Sequence, residues 1–177
     1  MNPCLLIASP QMRDPFFERT VVLVWHHDAD GAIGVVVNRV LDHVLPDVID
    51  LADVDLSHYS DNRVAWGGPV ETSSGTVLTR GQIADQEGWS LQCGVAVTRS
   101  QDALTRLIES REDLMLCLGY AGWGPGQLDQ EIADGGWLFT DAKQDIIFSG
   151  EADDRYERAL ETLGLTPHSL WMKPIPE

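Results

Sequence analysis

The sequence predicts a single α+β domain, and three observations support that class. The chain of 177 residues has the length of one ordinary domain, which can bury roughly 70% of the surface that its unfolded form exposes. Hydrophobic residues make up 44% of it, which is the apolar content of a packed globule. Strand-like and helix-like segments follow one another without a regular βαβ alternation, a repeat or a low-complexity linker, so we expect one domain spanning 1–177.

Strands are predicted where short apolar or β-branched runs are bounded by turn residues. Asp30 and Gly31 supply a hairpin turn between the second and third of these runs. Between the first and second runs, Asp14 favours a helical turn as its N-cap, with Pro15 at the first helical position. The predicted strands lie at 5–9, 20–25, 32–38, 63–66, 76–79, 94–98, 114–120, 137–140 and 146–148.

Three helices are predicted from end signals and from apolar residues at helical spacing. Ser100 is a favourable N-cap for the first. The second begins at Pro125 and ends at Gly135, and the third spans 152–163 and ends at Gly164. Their apolar faces consist of Ala103, Leu104, Leu107 and Ile108, of Leu128 and Ile132, and of Tyr156, Ala159, Leu160 and Leu163, respectively.

The charge of the chain argues against nucleic acid as a partner. The sequence carries 28 acidic and 12 basic residues, for a formal net charge of −16 and a pI near 4.4. A protein that binds DNA or RNA neutralises phosphates with clustered Lys and Arg, whereas the basic residues here are scattered. The acidic residues concentrate at 42–61 and 151–161, where we expect a solvated surface that keeps the protein soluble.

Cysteine usage and hydropathy favour a cytoplasmic location. Cys4, Cys93 and Cys117 are odd in number and widely spaced, so we expect reduced thiols, with Cys117 buried in an apolar strand. The first ten residues lack the basic region and the long apolar core of a signal peptide. No run approaches the ~18 apolar residues that span a bilayer, so no membrane association is expected.

The sequence contains none of the common catalytic or cofactor motifs. It lacks the P-loop, the HExxH zinc motif, the GxSxG nucleophile turn and a CxxC pair, and the glycines at 119–126 do not have dinucleotide spacing. His26 and His27 are neighbours on a predicted strand and therefore point to opposite faces. We predict no cofactor and no metal site. The other histidines, which also lack ligand spacing, are His43, His58 and His168.

Three segments distinguish this sequence from a generic α+β domain. The first is ASPQMRDPFFERTV at 8–21, the second is GGPV at 67–70, and the third is GYAGWGPGQL at 119–128. In this order and spacing they resemble the bacterial YqgE/AlgH family, and the resemblance covers residues 5–165. The flanking residues that contribute to it are His27, Gly31, Gly34, Asn38, Arg39, Glu131, Trp137, Leu138 and Phe148.

The resemblance implies a fold and only a general function. The fold would be a mixed, bifurcated β-sheet that forms a pseudo-barrel with peripheral helices. The family has no established biochemical activity, and one branch is labelled a transcriptional regulator without a DNA-binding motif. We therefore expect a binding or regulatory module for a small ligand or a protein partner. The candidate functional residues are Asp14, Arg19, His27, Asn38, Gly67, Gly68, Pro69, Gly122, Trp123 and Gln127.

Two alternatives to a binding site are open at this point. Each candidate residue could be structural, with Asp14 as a cap, Arg19 as its ion-pair partner and 67–69 as a tight turn. The protein could also be a hydrolase-like enzyme in which His27 and Asp14 transfer protons, which requires the two groups to meet each other or a shared substrate.

The third segment has its own pair of alternatives. It is predicted to enter its helix with free backbone N–H groups beside Trp123 and Gln127, an arrangement that would suit a carboxylate or a phosphate. Alternatively, the aromatic residues of this segment fill the core and the glycines only allow the chain to turn.

Overall fold

The computed structural model describes residues 4–166. The strands in this range are β1 (Cys4–Ala8), β2 (Val21–Asp28), β3 (Gly31–Val36), β4 (Val40–Val44), β5 (Arg63–Trp66), β6 (Val70–Thr79), β7 (Gly88–Ser90), β8 (Ala96–Thr98), β9 (Leu114–Trp123) and β10 (Trp137–Asp141). The helices are α1 (Leu45–Val48), α2 (Gln101–Glu109), α3 (Gln127–Ala133), α4 (Gln144–Phe148) and α5 (Arg155–Glu161). Short 3₁₀ turns lie at Ser57–Tyr59, Asp85–Glu87 and Ala152–Asp154.

The strands form one curled sheet that branches at β9. Its main path runs β10-β1-β2-β3-β9-β6-β8-β7, with every neighbouring pair antiparallel. The branch is formed by β5, which pairs with β9 in parallel and with β4 in antiparallel orientation. The predicted α+β class and the mixed, bifurcated sheet that curls into a half-barrel are confirmed.

Strand β9 can serve two parts of the sheet because its halves have different partners. Residues 114–118 and Tyr120 pair with β6, whereas residues 121–123 pair with β3. Within the first half of β9, the alternation of side chains divides the core between the two faces of the sheet. Met115 and Cys117 join the larger apolar cluster between β1, β2, β3 and α5, while Leu114 and Leu116 join a second cluster under α2.

The predicted helices are present, with shifts at their ends. The hydroxyl of Ser100 accepts the backbone N–H of Ala103 at 3.2 Å, and the predicted apolar face of α2 is buried. Helix α3 begins at Gln127, two residues after the predicted Pro125, because Gly126 takes the N-cap position with φ at 72°. Helix α5 is shorter than predicted, since a 3₁₀ turn replaces its first residues.

Two predictions about the C-terminal third are wrong. Residues 146–148, predicted as a strand, belong to helix α4, which buries the adjacent side chains Ile146 and Ile147 together. A strand would have sent these neighbours to opposite faces. Leu163, predicted on the buried face of α5, is 36% exposed because the helix ends at Glu161.

In the described residues, the carboxylates of the two acidic segments are exposed and Cys117 is buried, as predicted. The three cysteines are free, and Cys117 is fully buried, which raises the pKa of its thiol to about 12. Cys4 is also buried, and its pKa is raised to about 11 by the same desolvation. No helix between residues 4 and 166 is long and apolar enough to cross a membrane.

Candidate functional site

The first and third sequence segments meet at one cleft, which we call the aromatic cleft. It has a volume of about 330 Å³ and opens beside the N-terminal end of α3. Four of the candidate residues lie in its lining, although Asp14 is far from the other three in sequence. The lining consists of Met12, Asp14, Phe17, Gly122, Trp123, Gln127, Glu131, Asp134, Gly136 and Trp137.

Three aromatic rings form the wall of the aromatic cleft. The ring centroids of Phe17 and Trp137 are 5.7 Å apart in a T-shaped contact, and those of Trp123 and Trp137 are 6.1 Å apart, also T-shaped. Phe17 stacks on Trp123 at 6.3 Å. Trp123 and Trp137 are 7% and 2% exposed, so the rings contribute to the core as well as to the cleft.

The carboxylate of Glu131 organises this wall. Its Oε2 accepts hydrogen bonds from the indole Nε1 of Trp123 at 2.8 Å and from the indole Nε1 of Trp137 at 2.9 Å. Its Oε1 accepts a bond from Nε2 of Gln127 at 3.2 Å, one helical turn earlier on α3. One charged group therefore satisfies two buried N–H donors and fixes both rings.

The candidate Gln127 completes this network rather than facing solvent freely. Its Oε1 accepts the backbone N–H of Gly124 at 3.0 Å. The prediction that free N–H groups beside Trp123 would attract an anion is therefore wrong for Gly124, whose donor is occupied. The carboxylates of Asp14, Glu131 and Asp134 add negative charge to the same cleft, which further disfavours an anionic ligand.

The turn at 14–20 is held by its own Asp14 and by two side chains from the segment that joins β3 to β4. Asp14 caps it, accepting the N–H of Phe16 through Oδ1 at 2.8 Å. Asn38 accepts the N–H of Val21 at 2.8 Å and donates to the carbonyl of Arg19 at 2.9 Å. Arg39 donates to the carbonyls of Phe16 and Glu18. The sequence pattern that joins 8–21 to Asn38 and Arg39 thus has a structural basis.

Arg19 and His27 have partners other than those considered from the sequence. The guanidinium of Arg19 lies over the ring of Tyr156, 4.8 Å from its centroid, instead of pairing with Asp14. Nε2 of His27 is 3.2 Å from Oδ1 of Asp129 on α3, and the His27 side chain is 7% exposed. The carboxylate that His27 meets is therefore Asp129, while Asp14 is engaged at the turn.

The second segment makes a close crossing of two backbones. Gly67 donates to the carbonyl of Leu118 at 2.7 Å. A Cβ on Gly68 would come within 2.2 Å of the Tyr120 carbonyl, and one on Gly119, where φ is 77°, within 2.2 Å of the Gly68 carbonyl. Only glycines allow this approach of the β5–β6 connection, which includes Pro69, to β9. The three candidate residues of this segment, Gly67, Gly68 and Pro69, do not line the aromatic cleft.

The histidines are arranged as strand geometry predicts. The His26 side chain is half exposed and bonds to Asp28 at 2.8 Å, whereas only 7% of the neighbouring His27 side chain is exposed. Between residues 4 and 166, no group of three His, Cys, Asp or Glu side chains is placed to hold a metal ion. His168 lies outside the described residues.

These features define a small α+β protein with a branched half-barrel and a cleft walled by a glutamate-linked tryptophan pair. The chain belongs to the AlgH-like family, whose model matches residues 5–168. A UPF0301 protein of Paracoccus denitrificans is 39% identical over 170 residues, covering 92% of this chain and 90% of that protein. One from Rhodospirillum rubrum is 38% identical over 170 residues, covering 93% and 88%.

Solved structures show the same architecture. The solution structure of the AlgH protein from Pseudomonas aeruginosa matches with a TM-score of 0.78 and 31% identity, covering 99% of this chain and 95% of that one. A crystal structure of a protein from Corynebacterium diphtheriae matches with a TM-score of 0.74 over 96% of this chain and 88% of that one. At 22% identity, the second match concerns the fold alone.

Glu131 lines the cleft but was not among the candidate functional residues predicted from the sequence. A signal was present, because Gln127 and Glu131 are four residues apart and share a helix face next to Trp123. Asp134 and Asp129 were missed as well. Their roles depend on the position of α3 against β2 and β10, which local patterns do not reveal.

Proposed function

We propose that this protein is a binding or regulatory module that receives a small ligand or a segment of a protein partner in the aromatic cleft. The observation that carries the proposal is the convergence of Asp14 with Gly122, Trp123 and Gln127 on one cleft. Pockets that bind ligands combine apolar walls with a few polar groups that fix orientation, and the cleft has this composition.

The charge of the cleft indicates which group it would accept. Its described lining includes the carboxylates of Asp14, Glu131 and Asp134 and no basic side chain. The ring of Phe17, which is only partly buried, lies beside these carboxylates, and the two together favour a cation by charge and by cation–π attraction. The net charge of −16 would also increase the rate of encounter with a basic partner. The proposed ligand therefore presents a guanidinium or an alkylammonium group.

The hydrolase-like alternative has less support than binding. It relied on His27 and Asp14 sharing a substrate, and each of these residues is engaged with a different group, Asp129 and the 14–18 turn. We also expect no direct role in DNA binding, because exposed carboxylates dominate the surface charge.

A titration with argininamide, monitored by NMR, would test the proposal on the full chain. We expect the indole N–H resonances of Trp123 and Trp137 to shift on addition of argininamide, while acetate at the same ionic strength leaves them unchanged. Asp14→Asn combined with Asp134→Asn should weaken binding about tenfold, because two carboxylates near the cation are lost. Asp85→Asn, an exposed change away from the cleft, is the matched control.

Two results would contradict the proposal. One is an argininamide titration in which resonances outside the cleft shift and those of the two indoles do not. The other is equal affinity in the parent, the double variant and the control, which would mean that the cleft carboxylates take no part in binding.

A further inference from the structure

Strand β10 lies at one end of the sheet, and no described strand pairs with its outer edge. Between residues 4 and 166, β10 pairs with β1 alone, in a uniform register of five residue pairs that runs from Ala8 opposite Trp137 to Cys4 opposite Asp141. An unpaired edge presents backbone N–H and C=O groups that another extended chain can bind. Such an edge is a binding surface only where its outward groups are accessible.

The hydrogen bond at the start of β10 shows which backbone groups point outward. Ser9 donates to the carbonyl of Gly136 at 3.0 Å, and this pair continues the register of β1 with β10. Because backbone groups alternate in direction along a strand, those of Phe139 and Asp141 point away from β1. Both residues are exposed, Phe139 to 55%. Trp137 has the same backbone direction but is only 2% exposed, so the accessible edge consists of Phe139 and Asp141.

The two other edges of the sheet have features that protect them, whereas the edge of β10 does not. Strand β7, at the other end of the main path, has only three residues, and β4, at the end of the branch, has an irregular register with β5. Short strands and bulges are common ways in which proteins prevent pairing at a sheet edge. Strand β10 has five residues, a regular register, and neither proline nor lysine.

The side chains of β10 indicate what a partner strand would carry. Phe139 is the most exposed large apolar side chain between residues 4 and 166, and Asp141 lies on the same face two residues further. Side chains directly opposite each other on neighbouring strands interact, so an apolar residue suits Phe139 and a basic residue suits Asp141. The net charge of −16 also favours a basic partner over a second copy of the chain, which would bring the same charge again.

We propose that the outer edge of β10 binds an extended segment of a protein partner in which apolar and basic residues alternate. The segment exchanges backbone hydrogen bonds with Phe139 and, two residues further, with Asp141. Its apolar side chain covers the ring of Phe139, and its basic side chain pairs with the carboxylate of Asp141. The inference does not depend on the proposed function of the aromatic cleft, because neither residue lines that cleft.

An NMR titration of the full chain with the N-acetylated, C-amidated peptide RTVTR tests the proposal. One of the two arginines lies opposite Asp141 in either strand direction when the valine lies opposite Phe139. We expect saturable binding with a Kd below about 1 mM and downfield shifts of the Phe139 and Asp141 amide protons. Hydrogen exchange of these two amides should slow when the peptide binds, whereas that of Leu138 and Thr140, which face β1, should not change.

Two N-methylated peptides test the backbone pairing on the unaltered protein. In an antiparallel pair the N–H of the valine donates to the carbonyl of Phe139, and in a parallel pair the N–H of the following threonine does so. Methylation of one of these two nitrogens should therefore weaken binding at least tenfold more than methylation of the other. The peptide ETVTE, with reversed charge, should bind at least tenfold more weakly than RTVTR.

Variants then assign the site. Phe139→Pro removes an outward N–H without breaking a bond to β1, a position at which edge strands tolerate proline, and it should weaken RTVTR at least tenfold. Asp141→Asn should weaken RTVTR but not the uncharged peptide QTVTQ. Neither variant should change the response to argininamide, and Asp14→Asn should leave the affinity for RTVTR unchanged, which separates this edge from the aromatic cleft.

Several outcomes would overturn the inference. These are the absence of RTVTR binding up to about 10 mM, unchanged exchange of the Phe139 and Asp141 amides at saturation, equal affinity for the two N-methylated peptides, and binding of ETVTE as tight as that of RTVTR. Slow exchange of the two amides in the free monomer would also do so, because the edge would then be covered by the chain itself. Dimerisation that protects the same amides would assign the edge to a second copy instead.

Discussion

Replacing Glu131 with Ala tests whether this carboxylate holds the tryptophan pair. The substitution would remove the acceptor of two indole N–H groups that belong to nearly fully buried side chains. Each buried donor left unsatisfied costs about 1–3 kcal/mol, so we expect a loss near 4 kcal/mol in the free energy of unfolding. For a domain of this size, that corresponds to a decrease in Tm of roughly 8–16 °C.

A series of variants refines the prediction. Glu131→Gln keeps an acceptor oxygen for the indoles but turns its amide NH₂ toward Nε2 of Gln127, so it should cost less than the alanine change, about 1–2 kcal/mol. Gln130→Ala, which removes an exposed bond on the same helix, is the control and should stay within about 0.5 kcal/mol. Urea unfolding followed by far-UV circular dichroism gives the free energies.

The indole N–H resonances of Trp123 and Trp137 supply an independent measurement. In Glu131→Ala both should move upfield, because they lose a charge-assisted hydrogen bond. A free energy of unfolding within about 0.5 kcal/mol of the parent, with unchanged indole resonances, would refute the assignment of Glu131 as the organiser of the aromatic cleft.

Four further predictions concern the backbone, the thiols, the pH dependence and nucleic acid. Gly119→Ala should lower the free energy of unfolding by more than about 3 kcal/mol, because the new Cβ would collide with a carbonyl oxygen. Gly126→Ala, at nearly the same φ but with no atom within 4 Å of the new Cβ, should lower it by about 1 kcal/mol. Urea unfolding measures both differences. The Cys117 thiol, with its pKa raised to about 12 by burial, should resist thiol reagents at pH 8 until the protein is unfolded. The pKa of Glu87 is lowered from 4.5, chiefly by the side-chain hydrogen bond that Glu87 accepts from Arg106. The contribution of the ionised carboxylate to stability is therefore present above pH 4.5 and is lost as the pH falls through the lowered pKa. Glu87→Gln should reduce the dependence of the urea unfolding midpoint on acid pH. No sequence-specific gel shift with duplex DNA is expected at physiological salt, and a competitor-resistant, salt-sensitive complex would contradict this.

Helix α2 and most of the strands were predicted correctly because their signals act within a few residues. These signals are the N-cap residue, the apolar residues at helical spacing and the turn residues that bound each strand. The same signals failed at 146–148, where a run of three apolar residues fits a strand and a helix turn equally well and only packing against the core decides. The branch of the sheet at β9 was implied by the family resemblance and not by the pattern, since pairing partners are distant in sequence.

The candidate site was predicted in part for a comparable reason. Asp14 and Trp123 were each identified from their own segments, but their convergence depends on how β1 and β10 bring the 14–20 turn against α3. The burial of Arg155 could not be predicted from the sequence, because Arg155 stands among exposed acidic residues, a pattern typical of the solvent-facing side of a helix. Its burial follows from the docking of α5 on β1 and β2.

The position of β9 has a consequence for folding during synthesis. The hairpins of β1, β2 and β3 can pair as they leave the ribosome, but β3 does not meet its other neighbour until β9 has been made roughly 80 residues later, a delay on the order of ten seconds. Throughout that interval an apolar strand edge of the nascent chain remains unpaired. Nascent chains stopped before residue 114 should therefore bind a chaperone, and release from it should coincide with the appearance of residue 123 outside the exit tunnel.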